Sequence, residues 1–197
     1  MQFLKVLAGG LFFMGLMLFL IDLFAAPKVN TAYRSTVINT PAEAIYPHIQ
    51  SFEKRGAWSP WAAKDPNMTK SIEGTDGAVG AIYTWSGNEA VGSGSEELTR
   101  MDPNKKVESQ LIFKTPYEGT ATSSMRLDPK DDGTRVTWNI SSVNPDFMSR
   151  ILSFVGVINL DKEVGADFEQ GLMDLKSLVE SEYTQMSTKD GVGAKSN

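Results

Sequence analysis

The sequence predicts an α+β fold, in which a curved antiparallel sheet of about six to seven strands wraps a long C-terminal helix, with one apolar helix ahead of the domain. Three observations carry this expectation. Strand-like runs recur from Tyr33 onward with connections of only a few residues, whereas parallel strands would need far longer crossovers. Val164, Phe168, Leu172, Leu175 and Val179 fall at i, i+4, i+8, i+11 and i+15, which is one face of a helix. Between them, Trp58 to Glu97 joins two tryptophans around a proline to glycine-studded strands, the composition of a coiled sheet with an aromatic mouth.

The N-terminal residues have a different character. Every residue from Val6 to Ile21 is apolar or glycine. Counted through Ala26, the run is about 20 residues, close to the ~30 Å of a hydrocarbon core at a rise of about 1.5 Å. A cleaved signal peptide needs small residues at −3 and −1, and Leu23 or Phe24 would put a large one at −3. Residues 1–26 are therefore expected to form an uncleaved single-pass anchor, meeting the membrane through residues 4–26. Lys5 precedes the span and Lys28 and Arg34 follow it, so the charge bias is nearly flat. The default orientation places the domain on the extracytoplasmic side.

Residues 27–32 read as a linker. Tyr33–Ile38 alternates and is rich in β-branched residues, which predicts a first strand. Thr40 as N-cap, Pro41 at the first helical position and Glu43 behind them predict a helix ending near Phe52, kinked or shortened by Pro47. Strands follow at Lys70–Glu73, Ala78–Ser86, Val91–Met101, Val107–Lys114, Gly119–Leu127 and Thr134–Val143. Turn-forming residues separate them, such as Ser86-Gly87-Asn88 and Asp131-Asp132-Gly133. Phe147, Ile151, Leu152 and Val155 predict a short helix, and the long one begins near Asp161. The domain spans 33–183, and residues 184–197, without apolar periodicity, are expected to be a disordered tail.

Composition excludes several chemistries. The net charge is −5 and no Lys/Arg cluster occurs, which argues against nucleic acid. The chain has no cysteine and one histidine, so disulfides, thiolate nucleophiles and a conventional structural zinc site are out of reach. His48 is the only available imidazole base and sits at a helical position flanked by Ile45 and Ile49, so it is read as a partly buried or solvated helix residue. Glu96 and Glu97 are adjacent in a strand and project to opposite faces, so they cannot act as a carboxylate pair, and at most one faces a cavity. The glycines of GAVG and GSGSEE precede strands, not a helix N-terminus, so they are not a phosphate loop.

The opening STVINTPAEAIYPHI, the WSPW segment with Asp65-Pro66, the stretch GAVGAIYTWSGNEAVGSGSEE and the final DFEQGLMDLKSLVE together resemble the START-like superfamily, known as SRPBCC, in its polyketide cyclase/dehydrase-like subgroup. The likeness covers roughly Tyr33 to Tyr183. It implies a helix-grip fold, and an N-terminal span is common in that subgroup. No motif here carries a catalytic residue over from the few members that are cyclases.

The expected function is a membrane-anchored domain that holds a hydrophobic small molecule or lipid between the sheet and the C-terminal helix. The expected ligand-binding residues are Trp58, Trp61, Tyr83, Trp85, Phe113 and Trp138, with Trp58 and Trp61 on a loop at the mouth. No catalytic residue is assigned, and neither a cofactor nor a metal is expected. Two alternatives stay open. One is a cyclase- or dehydratase-type enzyme using Glu96 or Glu97, and the other a protein-interaction module at the membrane. The oligomeric state has no signal in the sequence.

Overall fold

The computed structural model describes residues 2–116, 118–144 and 146–193. Its elements run α1 (Gln2–Phe24), β1 (Val29–Ile38), α2 (Ala42–Gln50), α3 (Phe52–Arg55), α4 (Pro60–Lys64), β2 (Thr69–Glu73) and β3 (Ile82–Ser86). Then come β4 (Ser93–Asp102), β5 (Lys106–Thr115), β6 (Gly119–Lys130), β7 (Gly133–Val143), α5 (Phe147–Phe154) and α6 (Leu160–Gly193). The strands form one seven-stranded sheet in the order β1-β7-β6-β5-β4-β3-β2, with every pairing antiparallel.

Alternation decides which face of the sheet is buried. On β7, Thr134, Val136, Trp138 and Ile140 are buried while Arg135 between them is exposed, the period-2 pattern of a strand covered on one side. On α6 the stripe of Phe168, Leu172, Leu175 and Val179 is buried against that face, with Val164 half-buried at its start.

Helix α6 does not lie over the middle of the sheet. It packs mainly against β1 and, to a lesser degree, β7. The reason is polar. Arg34 of β1 donates to Asp161 (2.5 Å) and Glu169 (2.6 Å), and Lys176 Nζ donates to the Val37 carbonyl (2.8 Å). The Asn39 N–H donates to Glu180 (2.8 Å), and Asn30 Nδ2 donates to the Ile158 carbonyl just before the helix. These contacts hold α6 along the β1 side and leave the concavity over β3–β5 uncovered.

Several local expectations are corrected. Pro41, not Thr40, is the residue before the first helical turn of α2. Thr40 is buried, and its carbonyl accepts from Thr134 Oγ1. Pro47 lies inside α2, which stops at Gln50, short of the expected Phe52, with Ile45, Tyr46, His48 and Ile49 around the proline all buried. The expected linker 27–32 is mostly strand, since β1 begins at Val29 and pairs with Val143. Trp58 is not a mouth residue on a loop, and Trp61 belongs to α4. Ser59-Pro60 starts a helical turn there, which carries the Trp61 ring inward, while Trp58 is buried between α3 and α4. The tail is helical as far as α6 runs. Hydroxyls of Thr184, Ser187 and Thr188 each donate to the carbonyl four residues back, and these residues are exposed. Residues 194–197 lie outside the described residues.

Candidate functional site

The uncovered part of the concavity is a cavity of about 470 Å³. Its floor is the inward face of the central strands: Val107, Ser109, Leu111 and Phe113 of β5, Ser123 and Met125 of β6, and Trp138 and Ile140 of β7. Val164 and Phe168 of α6 form one wall. Phe52 and Arg55 of α3, Trp58 and Trp61 form another, and Tyr83 and Trp85 of β3 complete it. All six aromatic residues singled out from the sequence border this space, and so do all four tryptophans of the chain. The exposed lining residues are Glu53 and Gly56 on one side and Lys70, Ser71 and Ile72 on the other. The cavity therefore reaches solvent between α3 and the edge strand β2.

The six aromatics divide into two groups. Trp138 stacks on Phe168 (centroids 4.1 Å apart, 3° between planes), and Trp58 and Trp61 stand nearly perpendicular to it at 5.5 and 5.7 Å. The buried indoles have polar partners. Trp58 Nε1 donates to the His48 carbonyl (3.1 Å) and Trp138 Nε1 to Ser123 Oγ (3.2 Å). This cluster joins α6 to the sheet, and Gly171 makes the approach possible. A Cβ there would stand 3.1 Å from both the Trp138 ring and Pro60. The second group is more open: Tyr83 stacks between Phe52 (5.4 Å) and Trp85 (6.1 Å), and Trp85 meets Phe113 edge-on. Trp85 lies flat on its neighbouring strand because residue 94 has no side chain, where a Cβ would come within 2.7 Å of the indole.

One polar constellation interrupts the aromatic wall. Glu96 faces inward, opposite Tyr83 in the β3–β4 register, while Glu97 is on the other face and exposed. Glu96 Oε1 accepts from Arg55 Nη1 (2.7 Å) and Ser109 Oγ (2.6 Å), and Arg55 Nε donates to the Ile49 carbonyl (2.8 Å). Both charged side chains are only about one-sixth exposed (15% and 16%), and the guanidinium lies 5.0 Å from the Phe52 ring. Burial, with Glu96 adding its charge, pushes the Tyr83 hydroxyl above the usual phenol range. Sequence reasoning missed Arg55 and Ser109 because nothing local marks them. Ser109 continues the inward alternation of Val107 and Leu111, which is the one signal that could have placed it.

The helix carrying Phe52 and Arg55 is too short to be stable alone and is capped from outside. Asp76 accepts from Ser51 Oγ (2.5 Å) and the Phe52 N–H (2.7 Å). Burial raises the Asp76 carboxyl, but the Ser51 hydroxyl and the N–H groups of Phe52, Glu53 and Gly77 outweigh it and hold the group below its ordinary value. His48 lies outside the cavity, with Nε2 3.1 Å from Glu182. Its imidazole is held below the usual value, first by burial and then by Lys54, with Glu182 opposing. It is a packing residue of α2. Among the described residues no cluster of His, Asp or Glu could hold a metal ion.

At the N-terminus, Leu7–Phe24 of α1 is long and apolar enough to cross a membrane, and none of that stretch is buried against the domain.

Residues 30–180 match the profile of a family described as polyketide cyclase / dehydrase and lipid transport. No protein with a curated description matches the sequence. Among solved structures, a protein from Chromobacterium violaceum is similar at 17% identity and a TM-score of 0.56, covering 77% of this chain and 97% of its own. One from Nitrosospira multiformis is similar at 19% identity and a TM-score of 0.55, covering 78% and 99%. The major latex-like protein 151 of Panax ginseng is similar at 12% identity and a TM-score of 0.55, covering 77% and 97%. At these identities the likeness is one of fold, the helix-grip arrangement described above.

Proposed function

Since this chain belongs to the polyketide cyclase / dehydrase and lipid transport family, we propose that it is a membrane-anchored binding domain that holds a hydrophobic or lipid-like small molecule in the cavity between β3–β5 and α6. The observation that carries the reading is the cavity itself, about 470 Å³ and walled mainly by aromatic and aliphatic side chains. That volume suits a ligand-sized apolar molecule. The ligand would lie against Tyr83, Trp85 and Phe113, the open group of rings. Trp58, Trp61 and Trp138 would close the inner end, where they are held by one another. The Arg55–Glu96–Ser109 constellation supplies one polar point on the wall, which favours an amphipathic ligand over a pure hydrocarbon. In this reading α1 crosses the membrane, and the domain stands on the extracytoplasmic side.

Because every tryptophan borders the cavity, intrinsic fluorescence reports occupancy there. The full chain in nonionic detergent, titrated with the fluorescent fatty acid cis-parinaric acid, should show saturable energy transfer from tryptophan. Solvent extraction of protein purified from cells should release an apolar molecule. Absence of both would overturn the reading.

One observation favours a second reading, an enzyme of cyclase or dehydratase type. Both bonds to Glu96 fall on Oε1, and among the described residues no hydrogen bond engages Oε2. A carboxylate with a free oxygen on a cavity wall is placed to take a proton from a bound substrate. Replacement Glu96→Gln would then abolish turnover of a polyketide-like substrate while cis-parinaric acid still binds. Unchanged turnover would dismiss the enzyme.

A further inference from the structure

Helix α5 has its polarity reversed. A helix on the surface of a soluble domain turns its apolar face to the core. In α5 no residue is fully buried: Ile151 and Leu152 are half-buried, and toward the domain Asn30 Nδ2 donates to Ser153 Oγ (3.2 Å). At about 100° per residue, Ser149 and Ser153 lie within about 40° of each other. Phe147, Met148, Ile151, Phe154 and Val155 occupy the opposite half of the helix. Met148, Phe154 and Val155 are 60%, 46% and 62% exposed, and Val157 just beyond is 66% exposed.

The position of α5 says what meets that face. Arg150 binds the carboxylate of Asp22 through both Nε and Nη2, the latter at 3.0 Å, and so joins α5 to the last turn of α1. Leu7–Phe24 rises about 27 Å, close to the hydrocarbon thickness. Asp22 therefore stands where a membrane crossed by α1 would end, and α5 stands beside it. Asp146 and Arg150 are the only charged residues from 146 to 160, so attraction to anionic headgroups is not the means of contact.

We propose that residues 147–157 form a second membrane contact, an interfacial helix whose apolar face enters the acyl–headgroup boundary of the same bilayer that α1 crosses. The inference rests on the reading of α1 as a span. Its depth would be about 5–10 Å, the usual range for such helices. Two attachments, α1 and α5, hold the domain at a set orientation, where a single tether would leave it free to swing.

The test exploits the absence of cysteine. Full chains carrying Met148→Cys, Val155→Cys, Gly15→Cys in α1 or Asp132→Cys in the β6–β7 turn are spin-labelled and reconstituted in vesicles of phosphatidylcholine and phosphatidylglycerol. Collision with oxygen, which concentrates in lipid, is compared with collision with a water-soluble nickel chelate. All four positions are exposed, so folding should survive; saturable cis-parinaric acid binding checks it. Labels at 148 and 155 should favour oxygen severalfold, as Gly15→Cys does, while Asp132→Cys favours the chelate. Labels at 148 and 155 that behave like Asp132→Cys, with Gly15→Cys in lipid, would overturn this inference and leave the anchor intact. A Gly15→Cys label in water would remove both. Dipolar broadening at 148 and 155 that disappears on dilution with unlabelled chain would assign the face to a second copy and refute the lipid contact.

Discussion

Replacing Trp138 by alanine distinguishes a residue that supports the cavity from one that merely decorates it. The indole stacks on Phe168, makes T-shaped contacts with Trp58 and Trp61, donates to Ser123 and is 9% exposed. Truncating a buried tryptophan costs about 3–5 kcal/mol. Three ring contacts, each about 0.5–1.5 kcal/mol beyond area, and one hydrogen bond of about 1 kcal/mol favour the upper half of that range. The side facing the cavity has no packing to lose, which pulls the figure down. The expected loss is about 4 kcal/mol, a large share of the roughly 5–15 kcal/mol that holds a domain together. Urea unfolding of the full chain in detergent, followed by far-UV circular dichroism, reads it directly. With a slope of about 2 kcal/mol per molar, the midpoint should fall by about 2 M. Trp138→Phe keeps a ring against Phe168 and should lose only about 1–2 kcal/mol. A midpoint shift below about 0.5 M for Trp138→Ala, or about 1 kcal/mol, would refute the four-ring cluster as the joint between α6 and the sheet.

Arg55→Met leaves the Glu96 carboxylate on the cavity wall with Ser109 alone. A fully buried partner loss costs about 3–5 kcal/mol; the partial exposure here reduces it to about 2 kcal/mol, and adding Glu96→Leu should recover most of that in the same urea assay. Gly94→Ala would drive a methyl group against both the Ile112 carbonyl of β5 and the Trp85 indole, costing about 3 kcal/mol and weakening cis-parinaric acid binding; an unchanged urea midpoint and titration would show that neither contact is tight. His48 has its folded value below its ordinary 6.5, so the unfolded chain takes up the proton first as pH falls. Its contribution is complete above about pH 6.5 and is lost below it. The thermal midpoint should drop from about pH 8 to about pH 5 in the native chain and drop less in His48→Gln; parallel curves would exclude His48 as the source.

Trp58–Glu97 shows how much of the site was legible before the structure. The aromatic identities, the alternation of Tyr83 and Trp85 and the opposition of Glu96 to Glu97 are all local properties of a strand, and each could be read directly. The mouth could not. Trp58 and Trp61 were expected on a loop at the mouth, but Ser59-Pro60 starts α4, which carries Trp61, and Trp58 is buried beside it. The opening lies instead between α3 and the edge strand β2, whose separation is set by how the sheet and helices pack. The choice of Glu96 as the inward carboxylate needed the register with Tyr83, and its partner Arg55 is forty-one residues away.

By itself, the sequence determined the seven strands, the antiparallel meander, the apolar N-terminal helix and the buried stripe of α6, but not the short helices α3 and α4. Periodicity, turn chemistry and connection length act over a few residues, so they survive without knowledge of the partner. Only the tertiary structure decided that α6 lies along β1, because Arg34 finds Asp161 and Glu169 more than 120 residues later. That offset creates the cavity. It was likewise tertiary structure that left the apolar residues Met148, Phe154 and Val155 of α5 exposed while Arg150 joins the helix to the end of α1. A helical pattern specifies that a face is apolar, and what that face meets is set by the neighbours that long-range contacts bring to it.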